Sequence, residues 1–397
     1  MSVATRIGRL LVCGVLATLI GTAAWPANAA DPIEIYAVLP MTGSLAFAGR
    51  EENEALQLFE AAVNRSGELK GRTIKFVISD DQTNPQTAVL LMTQALAHHP
   101  SIVIDGGPAT TCRATAALIA NGPVEYCLSP AIHPPPGSYQ FSSLYSSNDI
   151  FGVQMRYLRE RGLKKIGVLN GTDASSQDSD NLLAELIKAP DNVAAGVTFV
   201  AYEHFNLADL TVRAQLARIK AAGAQALITT TVGTSTATVL HGVQEVGLDV
   251  PVLTSAANMS YPQLESYKDF MPKELLFSGP PALIPDQIAD RGVKSAVLDY
   301  LKIYKTAGAA RPGINSFVTW DPLGLMIASL KQRGPDATAA QVRDAIASTR
   351  NWPGILGRYD FVKSPQRGLD NNWVIIERWD PDKDAFVAMS KPGGAVR

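Results

Sequence analysis

The chain has 397 residues, a formal net charge of −2, and 46% hydrophobic against 18% charged residues. This is a globular composition: it excludes a disordered chain and supplies no basic cluster for nucleic acid or an anionic membrane surface. The length suits more than one cored unit.

Arg6 and Arg9 precede the apolar run "LLVCGVLATLIGTAAW", which is followed by "PANAA". A positive start, a short apolar stretch and an A-x-A site at Ala27 and Ala29 predict a secretory signal peptide over residues 1–29. The uncharged run is short for a membrane anchor, and Cys13 lies too early to be a lipoprotein cysteine. No later segment offers a long uncharged apolar run, so the mature chain is expected to be soluble and exported. It would retain two cysteines, Cys112 and Cys127. An even number in an exported protein favours a disulfide, the alternative being two buried thiols.

From residue 33 strand and helix patterns alternate. "IEIYAVL" reads as a strand, and "EENEALQLFEAAVN" places Leu56, Phe59 and Val63 at helical spacing. After the strand "TIKFVISD", Asn84 and Pro85 form an N-cap and first helical residue for "QTAVLLMTQALA". "SIVID" and "VEYCLS" flank a helix expected near Thr111. A second series starts near residue 149, where helices alternate with the strands "KIGVL", "GVTFVAY", "QALITTT" and "PVLTS". Each series is a βα repeat and predicts a mostly parallel sheet with helices on both faces. Residues 286–349 read as mostly helical, and "NNWVIIERWDPDKDAFVAM" reads as a hairpin turning at Pro381–Lys383.

The junction "DGGPATTCRATA" (105–116) joins a strand end to a helix start. Backbone N–H groups without helical partners point the same way there, and the helix dipole adds to them, so the junction suits an anion. Capping of the helix by Thr110 or Thr111 is the plainer role of the same residues. Enzyme signatures are missing: the sequence has no G-x-G-x-x-G, no P-loop lysine and no metal-ligand spacing among its five histidines. "GTSTA" (233–237) resembles a nucleophile elbow, but Ala237 stands where that motif needs glycine. No catalytic residue, metal or cofactor is expected.

In order and spacing, "VLPMTGSLAFAG", "LKGRTIKFVISDDQTNPQTAV", "GPATTC", "CLSPAIHP" and "VQEVGLDVPVLTS" resemble the branched-chain amino acid-binding (Leu/Ile/Val-type) family of periplasmic solute-binding proteins of ABC importers. The resemblance runs from about Ile33 to Trp379. It implies the two-lobed type I periplasmic binding protein fold, α/β in each lobe, with three crossovers near Ser142–Asn148, Phe277–Pro281 and Gly357–Asp360. Lobe one would hold 31–145 and 281–356; lobe two would hold 146–280 and 357–397. It further implies a periplasmic monomer whose partners are a small-molecule ligand and inner-membrane permease subunits.

By that resemblance, Ala109, Thr110 and Thr111 would grip a ligand carboxylate. Ala131 would offer a carbonyl to an ammonium, and His133 stands where amino acid binders keep a hydroxyl. In lobe two, Ala256 replaces the acid that neutralises the ammonium, while Val232 and Ser175 replace aromatics. Phe47, on the first βα loop, would cover an apolar body or simply pack beneath that loop. A desolvated ammonium without a counter-charge costs several kcal/mol, against about 8 kcal/mol in all for micromolar binding. Asp173, turned inward, is the available rescue. The site is therefore expected to take a small organic carboxylate, an aryl or phenolic acid fitting best. A branched-chain amino acid, a small amide or urea, and a ligand-sensing role for the same fold are the alternatives.

Overall fold

The computed structural model describes residues 31–397, so the expected signal peptide lies outside the described residues. Two sheets organise the chain. The first is built by β1 (Ile33–Leu39), α1 (Ala46–Ser66), β2 (Ile74–Asp80), α2 (Pro85–Leu96), β3 (Ile102–Asp105), α3 (Ala109–Thr115), β4 (Val124–Cys127) and β5 (Gln140–Ser142). Its five strands run in the order β2-β1-β3-β4-β5, all parallel. α1 turns Leu56, Phe59 and Val63 into the core, and Asn84 caps α2 by accepting from the Gln86 and Thr87 N–H groups. The strand β5, a three-residue edge, carries too short a pattern to be read from sequence.

The second sheet follows from α4 (Ser147–Glu160), β6 (Lys165–Gly171), α5 (Ala174–Leu186), α6 (Pro190–Ala195), β7 (Thr198–Phe205), α7 (Arg213–Ala221), β8 (Ala226–Ile228), α8 (Thr234–Glu245), β9 (Val252–Thr254), α9 (Tyr261–Tyr267) and β10 (Leu275–Gly279). The chain then returns to the first sheet with α10 (Arg291–Ala307), α11 (Ile314–Arg333) and α12 (Ala339–Ala347), α10 and α11 packing on α1. A short pair, β11 (Trp352–Pro353) and β12 (Arg358–Tyr359), precedes the closing hairpin of β13 (Ile375–Asp380) and β14 (Ala385–Ala388). The hairpin adds antiparallel to β10, giving the order β14-β13-β10-β9-β8-β6-β7. No described helix is long and apolar enough to cross a membrane.

One boundary differs from expectation. Residues 357–366 stay with the first sheet: Phe361 packs edge-on against Phe141, and the Ser142 N–H donates to the Gln366 carbonyl at 2.9 Å. The chain is therefore still in contact with the first sheet at Gln366 and joins the second at Ile375 with β13. The aromatic and hydrogen-bond partners that hold this stretch back are more than 200 residues away in sequence, beyond the reach of local pattern.

Candidate functional site

The C-terminal ends of both parallel sheets face one another across a cleft, the place where open α/β sheets bind ligands. On the first lobe, Gly106 and Gly107 turn β3 into α3. A Cβ on Gly106 would lie 2.5 Å from Pro40 Cδ, so only glycine fits. The turn rests on the buried Glu52 carboxylate, whose Oε1 accepts from the Gly107 N–H at 3.3 Å. Asp105 and Glu125, also buried, sit 2.9 and 3.1 Å from the Thr115 hydroxyl, and Gln140 Nε2 donates to Glu125 at 2.5 Å. Burial pushes Glu52 up to about 8 and Glu125 to about 7, and raises Asp105 well above the usual carboxylate range. These acids brace α3 from below.

The bracing corrects one expectation. Thr111 is fully buried, with its hydroxyl 2.8 Å from the Pro108 carbonyl and 3.1 Å from Asp105 Oδ1, so the side chain is engaged inside the lobe. The first helical bond is made by the Thr111 N–H to Pro108. The N–H groups of Ala109 and Thr110 precede it and have no acceptor within the helix. Thr110 is half-buried, and among the described residues no hydrogen bond ties its hydroxyl.

Arg113, one turn further along α3, was not singled out by sequence reasoning although it directly follows the "GPATTC" motif. Its guanidinium donates to the Ala131 carbonyl at 2.6 Å and across the cleft to the Ala174 carbonyl at 3.2 Å. Asp178 of α5 lies 3.7 Å from it and 3.2 Å from His133 Nε2. Two expectations change accordingly. The Ala131 carbonyl meets a guanidinium rather than waiting for an ammonium, and His133 faces an acid of the opposite lobe. Beside this inter-lobe clasp lies a cavity of about 490 Å³ lined by Ile132, His133, Ala174, Gln177 and Asp178.

In lobe two, Asp173 is the N-cap of α5. Its carboxylate accepts from the Ser175 and Ser176 N–H groups and from the Ser176 hydroxyl, so it does not turn inward. Ser175 is half-buried beside it. A second cluster gathers Phe47, Val232 and Ala256. Ala256 is buried in a short 3₁₀ turn whose Asn258 accepts from the Gly233 N–H and donates to the Thr231 carbonyl, fixing the Val232–Gly233 loop. That loop touches the first lobe: a Cβ on Gly233 would lie 2.9 Å from the Ser44 carbonyl and 3.2 Å from the Phe47 ring. Nearby, Ser260 donates to the Glu51 carboxylate of α1, another inter-lobe bond. The site residues thus fall into two groups, Ala109, Thr110, Ala131, His133 and Ser175 around Arg113, and Phe47, Val232 and Ala256 around Gly233. Among the described residues no three His, Cys, Asp or Glu side chains could hold a metal ion.

Cys112 and Cys127 form a disulfide, which pins α3 to the end of β4 within a small cluster of Ala109, Ala131 and Ile132. Replacing both cysteines with alanine is expected to lower unfolding free energy by about 3 kcal/mol, as the loop-entropy estimate gives for a closed loop this short. Denaturant unfolding measures it. An unchanged midpoint would mean that packing of the cluster, rather than the bond, holds the helix.

The family model for periplasmic binding proteins matches residues 32–383. No curated protein matches the sequence. Among solved structures, the chain is similar to a solute-binding protein of an ABC transporter from Rhodopseudomonas palustris in complex with benzoate, at 15% identity, TM-score 0.75, covering 92% of this chain and 98% of that one. A second, from R. palustris BisB5 in complex with 3,4-dihydroxybenzoic acid, shares 18% identity at TM-score 0.72, covering 92% and 99%. The branched-chain amino acid transporter substrate-binding protein LivJ of Streptococcus pneumoniae, in complex with isoleucine, shares 18% at TM-score 0.72, covering 92% and 98%.

Proposed function

We propose that this chain, which belongs to the periplasmic binding protein family, closes its lobes on a small organic carboxylate rather than on an amino acid and delivers it to the permease subunits of an ABC importer. An aryl or phenolic acid fits the reading best. One observation carries it: the Ala131 carbonyl already accepts from Arg113, the Asp173 carboxylate caps the start of α5, and Asp178, the acid in the cavity wall, is shared between Arg113 and His133. Ala256, where amino acid binders of the family keep their acid, is a buried methyl group. An enclosed ammonium would have to compete with Arg113 and His133 for Asp178, and unpaired it would cost several kcal/mol.

A carboxylate meets the opposite situation. The Ala109 and Thr110 N–H groups and the Thr110 hydroxyl supply donors at a helix start, and Arg113 adds positive charge nearby. Phe47 would lie over the ligand's apolar body. The relatives solved with benzoate and 3,4-dihydroxybenzoic acid support this class. The relative solved with isoleucine favours the second reading, a branched-chain amino acid, which would need Asp178 to leave Arg113 and His133 for the ammonium.

A thermal-shift screen of residues 31–397 against benzoate, 3,4-dihydroxybenzoate, aliphatic acids, branched-chain amino acids and small amides tests the proposal. An acid at a hundred times its dissociation constant adds about 2.7 kcal/mol by mass action, enough to raise the melting temperature visibly. Stabilisation by isoleucine or leucine with none by any acid would sink it.

A further inference from the structure

Where the last passage between lobes begins, Gln366 and Arg367 sit almost fully buried. The Arg367 guanidinium donates to three carbonyls: Leu144 at 3.0 Å, Ile132 at 2.7 Å and Pro130 at 3.4 Å. Among the described residues no carboxylate pairs with it. Burial pushes its pKa down to about 10, which leaves it charged at neutral pH. Holding a buried cation on three carbonyls, with Asp149 and Asp178 near enough to ease the burial but not to pair with it, is expensive, and ordinary core packing has no need of one.

Gln366 grips the same loop at its other end. Its Oε1 accepts from the Gly137 N–H at 3.0 Å, its Nε2 donates to the Ser138 carbonyl at 2.8 Å, and its own carbonyl takes the Ser142 N–H. Gln366 (φ 59°) and Leu144 (φ 67°) both hold left-handed backbone that non-glycine residues seldom adopt. Strain at two crossover residues persists only where the surroundings impose it.

We infer that Arg367 is a positioning residue that locks the Pro130–Ser138 loop, which carries Ala131 and His133, to the first and last crossovers, so that ligand seated on this loop acts directly on the hinge. The inference rests on the reading that the β4–β5 loop faces the ligand. It goes further by assigning the mechanical link between that loop and lobe closure, a link made by a buried residue beside the last crossover.

The test compares R367M and R367K with the parent chain by hydrogen–deuterium exchange without ligand, and by calorimetric titration with benzoate. Loss of the clamp is expected to speed exchange about tenfold or more in residues 128–138 and 140–146 together, while β6, β8 and β9 keep their protection. R367K, which keeps the charge but not the fork, should fall between. Exchange that rises equally in every strand, or only around residue 367, would overturn the inference. Benzoate affinity should fall about tenfold in R367M and less in R367K; full affinity alongside a loosened loop would overturn the coupling. If the parent chain ignores benzoate, the ligand assignment fails, and the exchange arm still decides the clamp.

Discussion

Gly233→Ala is expected to weaken ligand binding more than any single change in the "GPATTC" loop. Gly233 adopts φ 71°, ψ −133°, a conformation available essentially to glycine alone. Its N–H is held by Asn258, and its carbonyl accepts from Tyr267, so the loop cannot relax without breaking both. An added methyl would meet the Ser44 carbonyl at 2.9 Å and the Phe47 ring at 3.2 Å. The backbone penalty, about 1–2 kcal/mol, applies whether or not the lobes meet and should appear as lost stability. The collision exists only when they meet, so it falls entirely on the closed state.

Closure is the step that ligand binding stabilises, so a penalty confined to the closed state appears in the affinity. A loss of about tenfold corresponds to 1.4 kcal/mol, a modest figure for a methyl forced against a carbonyl oxygen. Gly196→Ala supplies the control. Gly196 also has φ 71°, but an added Cβ there meets nothing within 4 Å. It should lower the melting temperature and leave the affinity alone. Titration of both variants with whichever acid the thermal-shift screen identifies decides the matter, and equal affinities would show that Gly233 does not stand at the closing surface.

Which parts of this arrangement could be read in advance follows from how local their causes are. The cap formed by Asn84 and Pro85 depends on the next three residues, so it was legible. The repeating βα pattern depends on apolar spacing within each segment, and the even pair of cysteines beyond the expected signal peptide pointed to the bond between Cys112 and Cys127. The site was less legible because its contacts are remote. His133 meets Asp178 from the other lobe, and Ala131 loses its carbonyl to Arg113, a residue on a different element. Thr111 turns inward because Asp105, at the buried end of β3, takes its hydroxyl. No periodicity distinguishes it from Thr110 beside it. Arg367 reaches loops more than 200 residues away through carbonyls, which leave no mark on the sequence.

The same buried acids lead to the second large effect: the protein should be most stable on the acid side, near pH 5, and lose stability steadily towards pH 8. Burial pushes Glu52 to about 8, Glu125 and Asp321 to about 7 and Asp81 to about 6. It also raises Glu51, Asp105 and Glu377, and Glu377 has neither carboxylate oxygen hydrogen-bonded. Each is an acid whose folded pKa exceeds its unfolded value, so the folded chain keeps a proton that the unfolded chain releases. Stability from these groups is therefore complete below the ordinary carboxylate value and is lost as pH rises towards 8, at about 1.4 kcal/mol per pH unit for each group in its window. Acids with lowered pKa act oppositely. Asp290, held at about 2 by Arg358, loses its contribution only in strong acid and so leaves the window from pH 5 to 8 untouched. Melting temperature at constant ionic strength should drop by about 10–15 °C between pH 5 and pH 8. Glu377→Gln removes one titrating group without changing its shape. It should melt higher than the parent chain at pH 8 and differ little at pH 5. A flat profile in the parent, or a variant that gains nothing at pH 8, would mean that these carboxyls find water or partners and ionise within the fold.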